Sequence, residues 1–188
     1  MKKNIGLVNA LYPTPVVLVG TEVEGKVNYI NIAHIGIIDH NTISLSINKN
    51  HYSNIGIREN KTLSINIPSE EMIVETDYIG LVSGAKVDKS SIFENFYGEV
   101  KGAPMIKRAP LNMECEVVQV LDMPNNDVFL VRPVNTYCDD AYLTDGKPDI
   151  SKIKPILFDM PQRKYWRLGE VISDCWNIGK KYNDNGTV

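Results

Sequence analysis

The chain has 188 residues, 43% hydrophobic and 23% charged, which suits one domain with ample material for a core. A formal net charge of −3, with no basic run longer than Lys180–Lys181, argues against nucleic-acid binding, because phosphates need a concentrated positive surface. No stretch approaches the roughly 20 apolar residues of a membrane span, and Cys115, Cys138 and Cys175 are too few and too scattered for a disulfide framework or a zinc cluster.

The start, MKKNIGLVNALYPTPVVLVGTEVEG, sets two lysines ahead of an apolar stretch. Asn4, Asn9, Tyr12, Pro13 and Pro15 interrupt it and no small-residue cleavage site follows, so the expectation is a cytoplasmic protein rather than a secreted one. Two β-branched runs come next, VVLVGTEV (16–23) and KVNYINIAHIGII (26–38). Glu24-Gly25 between them is a two-residue hairpin turn. TISLSIN (42–48) predicts a third strand, and Ser53 is placed to cap a helix over 54–60. After the strand TLSINIP (62–68), Ser69 is placed to cap a helix over 70–82 that ends at Ser83-Gly84. Asp88 is placed to cap a helix over 89–96. MECEVVQVLDM (113–123) and DVFLVRPVNTYC (127–138) complete six strands, joined by a turn at Asn125-Asn126-Asp127. Residues 169–182 fit a helix or a strand followed by a helix, and the tail NDNGTV is expected to fray. Hairpin-linked strands at this density predict a mainly β fold: a small six-stranded antiparallel barrel with a few short helices, one domain over residues 1–188.

The stretch VNYINIAHIG (27–36) departs from ordinary strand patterning. A half-buried strand is polar on one side and apolar on the other. Here each alternate face carries an amide or imidazole among small or β-branched neighbours. Such a surface suits a flat heterocycle with polar edges, or a subunit interface, and the two are compatible where a ligand lies between subunits.

No nucleophile elbow, HExxH, glycine-rich phosphate loop or paired Cys-His ligands are present. The histidines His34, His40 and His51 have no metal-ligand spacing, so no metal is expected. Two strand-to-helix corners remain. In NKNHYSN (48–54), backbone N–H groups with the Ser53 and Asn54 side chains would cradle an anion. In SGAKVDKS (83–90), Lys86 and Lys89 would add positive charge, with phosphate the natural guest. The plainer alternative is that Ser53 only caps a helix and the lysines are solvated. Cys115, in the alternating MECEV, is expected in the core.

The order of these pieces resembles the flavin-reductase-like family with the FMN-binding split barrel, and within it the flavoredoxin-like branch. The resemblance is carried by PTPVVLVGT (13–21), GKVNYINIAHIG (25–36), LSINKNHYSNIGIRENKTLSINIPSEEM (45–72), DYIGLVSGAKVDKSSIFENF (77–96), APMIKRAPLNMECEV (103–117) and YWRLGEV (165–171). It implies a Greek-key split barrel and a homodimer that holds non-covalent FMN in a groove between subunits. By that resemblance Asn28 lies near the flavin ring, Ala33 and His34 line it, and Ser46, Ile47 and Asn48 offer backbone contacts to its edge. Ser53 and Lys89 correspond to the residues that hold the phosphate, and Tyr165, beside Trp166, closes the site. Relatives often have an aromatic where His34 stands. Many also carry Gly-Asp-His where this chain has Asn126-Asp127-Val128, which removes an imidazole associated with nicotinamide contact. The implied activity is transfer of electrons or hydride through FMN, from NADH, NADPH or a redox partner protein. The alternatives are a non-catalytic electron or flavin carrier and, remotely, a barrel stacking single-stranded nucleic acid on Tyr12, Tyr29, Tyr52 and Tyr137.

Overall fold

The computed structural model describes residues 1–182, so the expected fraying of NDNGTV lies outside the described residues. Seven strands form one antiparallel sheet: β1 (Val17–Val23), β2 (Lys26–Ile32), β3 (Ile35–Asp39), β4 (Thr42–Asn48), β5 (Thr62–Ile67), β6 (Leu111–Asp122) and β7 (Asn126–Cys138). Their spatial order is β2-β1-β5-β6-β7-β4-β3. The two edge strands, β2 and β3, are therefore consecutive in the chain, separated only by Ala33 and His34. Laid flat, seven strands would span about 29 Å, whereas a two-residue link reaches roughly 11 Å. The sheet has to curl until its edges nearly meet, which makes a split barrel with its seam at Ala33–His34.

This corrects the six-strand expectation. The segment 26–38 is two strands at opposite edges of the sheet, and the backbone of His34 has already joined β4, accepting from Ser46 N at 2.9 Å. At Glu24-Gly25 the turn forms as expected, with φ of 53° and 74°, the paired positive angles of a hairpin turn. The turn expected at Asn125–Asp127 lies slightly earlier, closed by Met123 N on the Asn126 carbonyl, with Asn126 and Asp127 already in β7.

Helix α1 (Ser53–Asn60) crosses from β4 to β5, and α2 (Ile73–Leu81) follows a short 3₁₀ turn at Glu70–Met72. A Cβ at Gly56 would sit 2.1 Å from the Glu22 carbonyl oxygen, so only glycine lets α1 lie this close to β1. Neither Ser53 nor Ser69 caps its helix through its side chain. No helix forms over 89–96, where Asp88 instead accepts from Ser90 N in a local turn at 2.9 Å. Within 169–182 there is one 3₁₀ turn, Ile178–Lys181. A smaller sheet pairs Thr14–Pro15 with β8 (Ile156–Asp159), and β8 with β9 (Lys164–Arg167).

Two apolar clusters explain the mixed strand. Inside the barrel, Val17, Val19, Ile30, Ile32, Leu45, Ile47, Leu63, Cys115 and Phe129 pack together, as expected for Cys115. Outside it, Leu18, Tyr29, Met72, Ile79, Phe93 and Ile106 form a second cluster under α2. β1 and β2 are thus buried on both faces, as strands between two layers must be. Ile30 and Ile32 face the barrel, Tyr29 faces α2, and the Asn31 amide donates to the Thr76 carbonyl of α2 at 2.9 Å. Asn28, Asn31 and Ala33–His34 reach cavities.

Candidate functional site

Where the sheet edges approach, a cavity of about 350 Å³ is lined by Asn31, Ala33, His34, Ser46, Asn48 and His51, with Asn126, Phe158 and Met160 among its other walls. That volume lies within the usual range for small-molecule sites. A second cavity of about 260 Å³ shares Asn31 and His51 and continues past Tyr52 and Ser53 to Ser83, Gly84 and Lys89. A third, of about 200 Å³, shares Asn31, Ala33 and Phe158 with the first and is closed by Asp77, Gly80 and Tyr165. The three form one crevice around Asn31, with mixed walls at one end and a buried cation at the other.

The cationic end is built from long-range contacts. Lys89 is 4% exposed, and its Nζ donates to the carbonyls of Tyr29 at 2.9 Å and Ile79 at 2.8 Å. An ammonium has three N–H donors, so one is left for a ligand. Burial pushes the Lys89 pKa down from 10.5 to about 8. Ser53 is buried, and its Oγ accepts from Asn28 Nδ2 at 2.7 Å, which leaves the hydroxyl proton free to donate. Asn28 Oδ1 is buried with no partner. A Cβ at Gly84 would sit 2.1 Å from that oxygen, so this loop can approach only as glycine. His51 is held down by partial burial and then by the Lys89 charge, which favours a neutral imidazole.

The opposite end is aromatic. Tyr12 Oη and His34 Nε2 are 2.7 Å apart, and the Tyr12 ring meets Phe158 edge-on at 6.3 Å. Phe158 in turn packs on Tyr165 at 5.7 Å, and the Tyr165 hydroxyl donates to Asp77 Oδ1 at 2.8 Å. Burial, and after it that carboxylate, raises the Tyr165 pKa. Asn126 Nδ2 donates to Ser46 Oγ at 2.8 Å across the β4–β7 pair.

The structure brings most of the anticipated residues to one crevice. Ala33, His34, Ser46 and Asn48 line the first cavity, Ser53 and Lys89 the second, and Tyr165 the third. Ile47 has its side chain wholly in the barrel core, so only its backbone is available. Asn54 is not on these walls. Its Nδ2 donates to the Asn48 carbonyl at 2.9 Å and braces the 48–54 loop. Asn28 lies behind Ser53 and orients its hydroxyl, and Trp166, half exposed, lines none of the three cavities. The expected backbone cradle is also smaller. The second and third α1 amides, of Asn54 and Ile55, are already bonded to the carbonyls of His51 and Tyr52. Lys86 is exposed and lies beyond Gly84, on a separate cavity.

Asn31, His51, Asn126, Phe158 and Met160 were not anticipated as site residues. Strand alternation places Asn31 on the face opposite Ile30 and Ile32, so its role was within reach. Phe158 and Met160 arrive through the pairing of β8 with Thr14–Pro15, which no local pattern signals. Among the described residues, no group of three or more His, Cys, Asp or Glu side chains is placed to hold a metal ion. No helix there is long and apolar enough to cross a membrane.

The family model of the flavin reductase like domain matches residues 9–158. A flavoredoxin from Methanosarcina acetivorans is 43% identical, with a TM-score of 0.91 over 95% of this chain and 98% of its own. The flavoredoxin of Desulfovibrio vulgaris (Miyazaki F) is 30% identical, with a TM-score of 0.89 over 95% of this chain and 100% of its own. An FMN-binding protein from Thermus thermophilus shares the fold at 20% identity, with a TM-score of 0.80 over 93% of this chain and 100% of that one. An uncharacterised protein of Archaeoglobus fulgidus is 28% identical over 111 residues, a match spanning 62% of its length.

Proposed function

This chain belongs to the flavin reductase like domain family, in its flavoredoxin-like branch, and from that premise we propose that it holds non-covalent FMN in the crevice around Asn31 and passes electrons through it. The observation that carries this reading is the joining of a cavity large enough for a ring system to a second one ending at Ser53 and Lys89. One free hydroxyl donor and one free ammonium donor suit a single phosphate better than a neutral tail. That favours a phosphorylated flavin over riboflavin. When bound, the flavin supplies the redox chemistry, accepting and releasing hydride or single electrons.

The chain's own residues bind, orient and shield. Ser53 and Lys89 anchor the phosphate, with Asn28 aiming the Ser53 hydroxyl. Ala33, with only a methyl at the seam, leaves room for a ring, and His34 and Phe158 wall one side of it, each in contact with Tyr12. Lys89, held in place by the Tyr29 and Ile79 carbonyls, favours negative charge in the crevice without reorganising. No acid–base residue is needed for this chemistry. The expected electron source is NADH, NADPH or a redox partner protein, the expected location the cytoplasm, and the expected assembly a homodimer whose second copy covers the open side of the crevice.

A carrier without turnover of its own is favoured by one observation. At Asn126-Asp127-Val128, Asp127 is 3% exposed and tied to Arg58 at 2.7 Å, and no imidazole stands there for a nicotinamide. Of the four tyrosines that the nucleic-acid alternative would use, Tyr29 is fully buried and cannot stack on a base. Purified protein should be yellow, or become so with FMN, and release FMN on heating. Colourless protein with no affinity for FMN would refute the reading. NADH or NADPH should then bleach the flavin band at about 450 nm faster in the protein than in free FMN. Equal rates would leave the carrier.

A further inference from the structure

A phosphate monoester carries nearly two negative charges at neutral pH, and Lys89 sets one positive charge against them. The rest of the crevice is short of cations. On the walls of the ring cavity and the Ser53 cavity, the only other groups able to carry positive charge are His34 and His51, and no carboxylate stands among them. His34 lines the ring cavity alone, with its Nε2 2.7 Å from Tyr12 Oη. His51 lines both cavities, two residues before Ser53. Among the described residues its backbone N–H donates to the Asn48 carbonyl at 3.0 Å, its carbonyl accepts from the Asn54 amide at 3.1 Å, and neither ring nitrogen has a partner. The loop is therefore fixed while the imidazole is free to bond a ligand. The residue also keeps contact with solvent, so a proton can reach it. The titratable groups sharing its cavities are Lys89, His34 and Tyr52, whereas Glu24, Lys26, Asp77, Lys86 and Asp88 line only the neighbouring ones. In the flavin-free chain, partial burial and then the Lys89 charge favour the neutral imidazole. A phosphate dianion reverses that field, because its two negative charges outweigh one positive charge at a comparable distance.

We propose that His51 is the second cation of the phosphate site, neutral in the flavin-free chain and protonated as the phosphate enters, so that binding FMN takes up a proton. The inference rests on the reading that Ser53 and Lys89 hold the flavin phosphate. The proton comes from solvent and adds to the free imidazole nitrogen, and the resulting imidazolium donates to a phosphate oxygen. Riboflavin, which has no phosphate, leaves His51 neutral.

Calorimetric titration of the flavin-free protein at pH 7, in buffers of different ionisation enthalpy, counts the protons. At that pH Lys89, with its pKa of about 8, is mostly charged, and a phosphate with a second pKa of ~6 is mostly dianionic. Each moves only about a tenth of a proton, in opposite directions. FMN is therefore expected to take up about half a proton or more, riboflavin none, and FMN in His51→Gln close to none. The variant should bind FMN about three- to tenfold more weakly than the native protein at pH 7, and within about twofold at pH 9, where the imidazole is neutral in both states. Its riboflavin affinity should stay within about twofold of native at either pH. A purely structural role for His51 would weaken both flavins, and equally at both pH values. FMN binding to the native protein without net proton uptake, uptake that persists in His51→Gln, or a variant weakened equally at pH 7 and pH 9 overturns the inference and leaves the FMN reading standing. Failure of the native protein to bind FMN overturns both. The native proton count stands whether or not the variant folds.

Discussion

Replacing Lys89 by Met separates the cation's part in the fold from its part in binding. The native ammonium joins β2 to the end of α2 through the carbonyls of Tyr29 and Ile79. Losing both bonds leaves two buried acceptors unpaired, at a cost of about 1–3 kcal/mol each. Against this, a methionine of similar length removes a charge that the interior disfavours, as its pKa of about 8 attests. The two effects oppose, so a modest fall in melting temperature is expected. Flavin affinity has no such offset. Loss of one charge-assisted phosphate contact is worth about 1.5–3 kcal/mol, or roughly ten- to a hundredfold in Kd.

The pH dependence sharpens the test. Between about 8 and the ordinary lysine value of 10.5, the folded flavin-free chain holds fewer protons at this site than the unfolded chain. By linkage the group's contribution to stability therefore rises with pH over that window. FMN affinity moves the other way, because the phosphate binds the charged form, and it should fall by up to about tenfold per pH unit above pH ~8. Titration monitored by quenching of flavin fluorescence at pH 7, 8 and 9 reads this directly. An unchanged Kd in Lys89→Met, or a native Kd flat across pH 7–9, would remove Lys89 from the phosphate site.

Ser53→Ala takes away the acceptor of a buried amide and should cost about 1–3 kcal/mol of stability, read as a drop of several degrees in melting temperature. It should also weaken FMN, though less than Lys89→Met does, and an unshifted melting curve would contradict the Asn28–Ser53 bond. Gly84→Ala sets a methyl 2.1 Å from Asn28 Oδ1, so the amide or the loop must move. FMN affinity is expected to fall at least tenfold with the fold retained by circular dichroism, and native affinity would show that the loop position is irrelevant. Asp127→Ala should destabilise by only about 1 kcal/mol in urea melts, since Arg58 is half exposed and can be solvated once its partner is gone. A loss above about 3 kcal/mol would mean that the pair is energetically buried.

Much of the site was legible because its residue types are locally unusual. Ser53 and Lys89 stood out at the starts of segments, and Ala33–His34 interrupted a β-branched run. Their roles were less legible. Ser53 looked like a helix cap, yet its hydroxyl meets Asn28, 25 residues earlier, and a cap and a buried network have the same local signature. Lys86 and Lys89 looked equivalent in SGAKVDKS. Only packing under α2 buries one and leaves the other on a different cavity. Asn54 is ambiguous for the same reason, since an amide beside a helix start can face a ligand or brace its own loop, as its Nδ2 does here.

Alternation and turn chemistry by themselves determined the β-rich class, the Glu24-Gly25 hairpin, the placement of most strands and the burial of Cys115, because these depend on neighbours within a few residues. The break of 26–38 into two strands was a tertiary decision. Nothing in Ala33–His34 says that the strands on either side belong to opposite edges of a seven-stranded sheet. That depends on β5, β6 and β7 filling the space between β1 and β4, and the curl they impose brings Phe158, Lys89 and Ser53 around Asn31. A crevice assembled from five distant segments has no local pattern, because its shape follows from how the strands are ordered in space rather than along the chain.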